Sequence, residues 1–205
     1  MKYLFPILAI LILPRATAAQ EKPRGKVEVT RKVEVTRKVE YYNVRGRNSA
    51  ELRAAMNAKG PLNEAQGKRF DARTDWALSW DGLDFDRALA AKGIFRLTKW
   101  TLTLEATVIL PRWENERDGL PFERRRWRVY LARLNLHEAG HVKLAEQTAT
   151  ALEQSFGKLG FFPSQKKLET AVKTRAEKIL RDYTAKHGEY DRRTRHGKTQ
   201  GARFP

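Results

Sequence analysis

The apolar pattern changes period once along this chain, and that change limits the folds open to it. From Trp100 to Leu110 every second residue is apolar (Trp100, Leu102, Leu104, Ala106, Val108, Leu110), the repeat of a strand with one buried face. Trp76, Leu78 and Trp80 alternate in the same way, and Pro111 is expected to end the second strand. Beyond Pro121 the apolar spacing becomes three and four, through Trp127, Tyr130 and Leu134 to Leu144, Thr148 and Leu152. That spacing predicts one long amphipathic helix reaching Phe156. Gly157 and Gly160 break it, Ser164 caps a second helix, and Leu168, Val172, Ile179 and Tyr183 mark that helix's buried face. Strands first and helices second predict an α+β domain. It would hold an N-terminal antiparallel sheet with one short helix, then the long helix and a second helix antiparallel to it.

Upstream, Tyr41 to Val44 reads as a strand, and Asn48 or Ser49 caps a short helix that Gly60-Pro61 stops. Lys26 to Glu40 is a six-residue repeat, KVEVTR KVEVTR KVE, with every valine on one parity. Strict alternation predicts an extended strand, either an edge strand or an N-terminal extension, and a perfect duplication of this kind also arises by slippage. Residues 1–19, MKYLFPILAILILPRATAA, have the order of a secretory signal peptide: a lysine, an apolar run, and Ala16-Thr17-Ala18 for cleavage. The run is too short to cross about 30 Å of hydrocarbon as a helix. The expected division is therefore a signal peptide over 1–19, the repeat extension over 20–40, and a single domain over 41–205. A secreted or periplasmic location follows, with no transmembrane helix in the mature chain. After Gly188 the tail EYDRRTRHGKTQGARFP shows no usable periodicity.

The chain has no cysteine and only four histidines, so any metal site must be built from His, Asp and Glu. His137-Glu138-Ala139-Gly140-His141 lies within the long predicted helix. A spacing of four puts both imidazoles on one face, one turn apart, where both can reach a single Zn²⁺. Glu138 follows the first ligand, the place where HExxH hydrolases keep the general base for a metal-activated water. The His stripe continues Tyr130, Leu134, Leu144 and Leu152, so both rings are expected to point into protein. Gly140 in mid-helix costs up to about 1 kcal/mol relative to Ala, which implies a close approach there.

Five segments carry a more specific signal: YYNVRGRNSAELRAAMNAKGP, RFDARTDWALSW, WTLTLEATVILPRW, HEAGH and YDRRTRHGKTQGA. In that order the chain resembles a bacterial family of predicted secreted zinc-dependent proteases, catalogued as a domain of unknown function. The resemblance spans about Tyr41 to Ala202 and implies Zn²⁺ as cofactor and a peptide or protein as substrate. It makes His196, in the YDxxTxHG segment, the first choice for a third ligand beside His137 and His141. Asp191 is the alternative third ligand, or a partner orienting a ligand imidazole. Geometry alone adds Glu177 and Asp182, which an antiparallel helix from Ser164 would bring level with His141. Tyr190 is read as packing or an oxyanion donor, and His187 as a residue at a helix C-terminus.

A formal net charge of +17 opens a competing reading. Arg124 to Arg128 and the Arg192 to Arg203 tail form a surface attractive to phosphate or to anionic envelope lipids and polymers. No nucleic-acid-binding motif accompanies them, so no specific nucleic acid is expected. The expectation is a secreted or periplasmic zinc metallopeptidase with Glu138 catalytic. The alternative is a non-catalytic, zinc-stapled envelope protein that binds anionic polymers or lipids.

Overall fold

The structure is a computed structural model that describes residues 30–64 and 67–204. The signal peptide expected over 1–19, and the part of the repeat before Thr30, lie outside the described residues. The chain begins with β1 (Thr30–Val44), α1 (Ser49–Lys59) and a small hairpin of β2 (Leu62–Asn63) and β3 (Lys68–Arg69). Next come β4 (Arg73–Phe85), the single turn α2 (Arg87–Ala90) and β5 (Leu97–Trp113). Two long helices, α3 (Pro121–Gly157) and α4 (Gln165–Thr194), complete it. The α+β class and the order of sheet before helices are as the periodicity predicts.

The main sheet has the order β1–β5–β4. β4 and β5 are antiparallel, with Trp76 opposite Ala106 and Leu78 opposite Leu104, so the two alternating patterns share one face. β1 lies parallel to β5, with Val35 beside Leu104. The parallel sense follows from the connection, because the chain passes through α1, the small hairpin and β4 before β5 enters the sheet. β5 also runs on through Pro111 to Trp113, two residues past the expected stop. β4 has its last partner at Ile109, so the missing N–H of Pro111 can face the side that β4 has vacated.

α3 and α4 cover the inner face of the sheet and bury two apolar clusters. One joins Trp100, Leu102 and Leu104 of β5 to Ala145, Leu152 and Phe156 of α3 and to Leu168 and Val172 of α4. The other joins Leu52 and Met56 of α1 to Leu110, Trp113, Trp127, Tyr130 and Leu134. Along α3 the clusters end at Leu134 and begin again at Ala145. The polar residues His137, Glu138 and His141 fill the interval and are themselves buried.

α4 departs from expectation in length. It continues through Gly188 to Thr194, a stretch with no apolar periodicity, and its last buried residues are His187, Asp191 and Thr194. Their spacing is helical, but their polarity hides them from a search for apolar repeats. Glu177 and Asp182 point to solvent, ion-paired to Lys173 and Lys178 at 3.9 and 2.6 Å, and neither stands level with His141. His187 does. The α3–α4 connection is tied to the segment before β5 by paired backbone bonds between Phe95 and Phe162. His187 is thus interior to a helix and buried, not at the C-terminus where the sequence put it.

Candidate metal centre

Two adjacent turns of α3 present His137 and His141, with ring centroids 4.9 Å apart. The last turns of α4 supply Asp191 opposite them. His137 Nε2 lies 3.2 Å, and His141 Nε2 3.0 Å, from the same oxygen, Asp191 Oδ1. All three side chains are buried, and one ligand atom from each falls within 4.8 Å of the others.

The far side of each imidazole is also engaged. His137 Nδ1 donates to Gln200 Oε1 at 3.0 Å. Gln200 is oriented for this by donating from Nε2 to Tyr190 Oη, which in turn donates to the backbone carbonyl of His137 (both 3.1 Å). His141 Nδ1 is 2.9 Å from Nδ1 of His187. Burial, with the His141 charge adding to it, pushes His187 down to about 4, so it is neutral at neutral pH. With His187 accepting the proton of His141 Nδ1, both rings point Nε2 at Asp191. Partners of this kind are what set tautomer and ring orientation at metal-bound histidines.

This donor set calls for a positive charge at its centre. Burial presses His137 toward its neutral form, yet the bond to Asp191 and the charge of Glu138 outweigh it and the net shift is upward. Burial likewise opposes ionisation of Asp191, but its bonds to His137, His141 and His196 hold the carboxyl well below the usual carboxylate range. A divalent cation placed between these three side chains would meet the same electrostatic demand. Two imidazole nitrogens and a carboxylate oxygen fit Zn²⁺ and other borderline divalent ions alike.

His196 stands beside this group. Its Nδ1 is 3.4 Å from Asp191 Oδ1, its side chain is 45 % exposed, and its ring leans on Phe70. Arg195 and His196 both have positive φ, at 49° and 51°. Such backbone is costly for residues with a side chain. It turns the chain back so that Gly197 packs on the His137 side chain, where a Cβ would lie 3.0 Å from His137 Cβ. The same turn delivers Gln200 to His137.

Glu138 is buried with its Oε2 accepting from Thr74 Oγ1 of β4 at 2.7 Å. Burial pushes its carboxyl up, against the opposing pull of the His141 charge and the Thr74 bond. Glu138, His137, His141 and Asp191 line one cavity of about 730 Å³. Thr74 and Trp76 of β4 form one wall, and Arg69, His196, Lys198 and Arg203 stand around it. Thr74, His187 and Gln200 are the members of this site that sequence reasoning passed over. Gln200 and Thr74 each had a signal, since one lies in the terminal TQGA piece and the other in RFDARTDWALSW.

The family model for a bacterial protein of unknown function, DUF922, matches residues 39–197. That span includes β1 from Val39, both long helices and His137, Glu138, His141 and Asp191. No curated protein and no solved structure matches the chain.

Proposed function

The chain belongs to the DUF922 family of bacterial proteins, and from the buried group it carries we propose that it is a zinc-dependent hydrolase of peptide bonds. The observation that supports this most is the environment of Glu138. It follows a ligand histidine directly, is buried on the cavity wall, and has a hydroxyl rather than a cation as its hydrogen-bond partner.

His137, His141 and Asp191 would hold the ion, with His196 at the cavity side of Asp191. A divalent ion held there would supply Lewis acidity, polarising a carbonyl and making a nearby water more acidic. Glu138 would take a proton from the water on its carboxylate as the water oxygen bonds to the carbonyl carbon, and would pass it to the amine as the C–N bond breaks; burial, which raises its basicity, favours the first of these steps. Thr74 holds the carboxylate in place from β4. Tyr190 acts on the ligands, because its hydroxyl is taken up by His137 O and Gln200. β4 is an outer strand of the sheet and borders the cavity through Arg73, Thr74 and Trp76. An extended peptide laid along that edge would bond to backbone and pass over Glu138. The leader-like residues 1–19 support export, and no helix among the described residues is long and apolar enough to cross a membrane.

A zinc staple joining α3 to α4 through Asp191 is the second reading. It accounts for the ligands but gives Glu138 no task, and a buried carboxylate without a task is a cost. Cleavage of an unfolded protein substrate that stops on chelation and returns with added zinc supports the hydrolase. A zinc-loaded, folded protein without such cleavage supports the staple.

A further inference from the structure

β1 is an outer strand of the sheet, and no other described strand pairs with its free edge. It runs from Thr30 to Val44 against β5 with no register shift and no proline, and residues 30–41 are exposed. Outer strands usually carry a bulge, a proline or like charges that discourage further pairing. β1 carries charges of alternating sign. Lys32, Glu34, Lys38 and Glu40 share the solvent face with Thr36 between them, and Lys32–Glu34 and Lys38–Glu40 are ion-paired along the strand. Arg31, Val33, Val35, Arg37 and Val39 share the other face, where Arg31 and Arg37 reach Glu153 and Glu146 of α3.

We propose that β1 pairs antiparallel with β1 of a second copy of the chain, Thr36 opposite Thr36, so that two three-stranded sheets become one of six. In that register Glu34 meets Lys38 of the partner subunit and Lys32 meets Glu40 of the partner subunit, each twice by symmetry. On the helix-facing side Val33 meets Val39 of the partner subunit, and Val35 meets Arg37 of the partner subunit. Val33 and Val39 are 41 % and 49 % exposed in the single chain, and Val35 between them is 44 % exposed. Opposite charges and apolar pairs directly across strands each contribute, and like charges there are unfavourable. The neighbouring registers fail. A shift of two residues one way sets Lys32 against Lys38, the other way sets Glu34 against Glu40, and a shift of one pairs odd with even positions, which turns the two helix layers to opposite faces of the joined sheet. The cavity borders β4, at the opposite edge, so pairing leaves it open and is independent of whether the protein is a hydrolase.

Sedimentation velocity of the purified protein at micromolar concentrations, with circular dichroism to confirm folding, tests the pairing. The parent chain should be dimeric. Lys38→Glu and Glu34→Lys each replace two attractive cross-pairs by repulsive ones and should weaken the dimer at least about ten-fold. The double variant Glu34→Lys/Lys38→Glu should restore it. Along its own strand that double variant places like charges at 32/34 and at 38/40, so recovery can come only from across the interface. A monomeric parent, a dimer that ignores the single changes, or a double variant as weak as the singles would overturn the proposal.

Discussion

Tyr190 fills the space that a side chain on Gly140 would need: a Cβ there would lie 2.1 Å from Tyr190 Oη. The Tyr190 ring stacks on His137, with planes 8° apart and centroids at 5.0 Å, so the glycine inside HEAGH admits the residue that steadies the first ligand. In an open helix Gly→Ala stabilises by about 1 kcal/mol. Here Gly140→Ala should instead lower the melting temperature, and Gly140→Ala/Tyr190→Ala should lose less than the two single losses combined. Thermal melts read this, and a Gly140→Ala protein as stable as its parent would contradict the packing.

The convergence of both Nε2 atoms on Asp191 Oδ1 ranks the ligands. Asp191→Asn should weaken zinc binding more than His196→Ala, because His196 is half exposed and contacts the group through Asp191. His137→Ala should lose the ion altogether. Metal content after gel filtration compares the three, and zinc retained by Asp191→Asn but lost by His196→Ala would exchange their roles.

The ion must displace protons. His137 is raised above its ordinary value of 6.5, so it keeps a proton into the range where a free imidazole has lost it. Zinc affinity should therefore climb as pH rises through and beyond 6.5, with net proton release on binding. The raised value also stabilises the ion-free fold below 6.5, and that contribution disappears as pH rises through the folded value. Added zinc should consequently raise the melting temperature more at alkaline than at acid pH. Calorimetric titration in buffers of different ionisation enthalpy counts the protons; no release at neutral pH would contradict this charge balance.

The α+β order was legible because strands and helices announce themselves by period, and the pair His137/His141 because four residues is one helical turn. What stayed hidden shares a physical cause. The end of α4 buries His187, Asp191 and Thr194, so its inner face is polar and its helical spacing escapes an apolar count. Thr74 meets Glu138 across 64 residues of sequence and Gln200 meets His137 across 63, contacts that no local pattern encodes. The parallel sense of β1 likewise depends on a connection through α1, β2, β3, β4 and α2.

Charge around the cavity predicts a preference. Arg69 and Arg203 bond to the backbone carbonyls of Gly60 and Lys198 rather than to carboxylates, and Lys198 is exposed and lines the same cavity. Peptides with acidic residues should be cleaved at higher kcat/KM than their amide counterparts, with the difference shrinking as salt is added. Lys198→Glu should reduce the preference while Arg124→Ser, on the first turn of α3, should not. Equal rates on both peptides at low salt would count against it.

Glu138→Gln tests the hydrolase most directly, since it keeps the size and helical habit of the side chain and removes the carboxylate. The variant should bind zinc as the parent does and melt at a similar or higher temperature, because the amide ends the cost of burying a charge. Its turnover of an unfolded protein substrate should fall by about 10²–10⁴-fold, the usual loss when a positioned base is removed. A zinc-loaded Glu138→Gln protein that cleaves as fast as its parent would contradict the account.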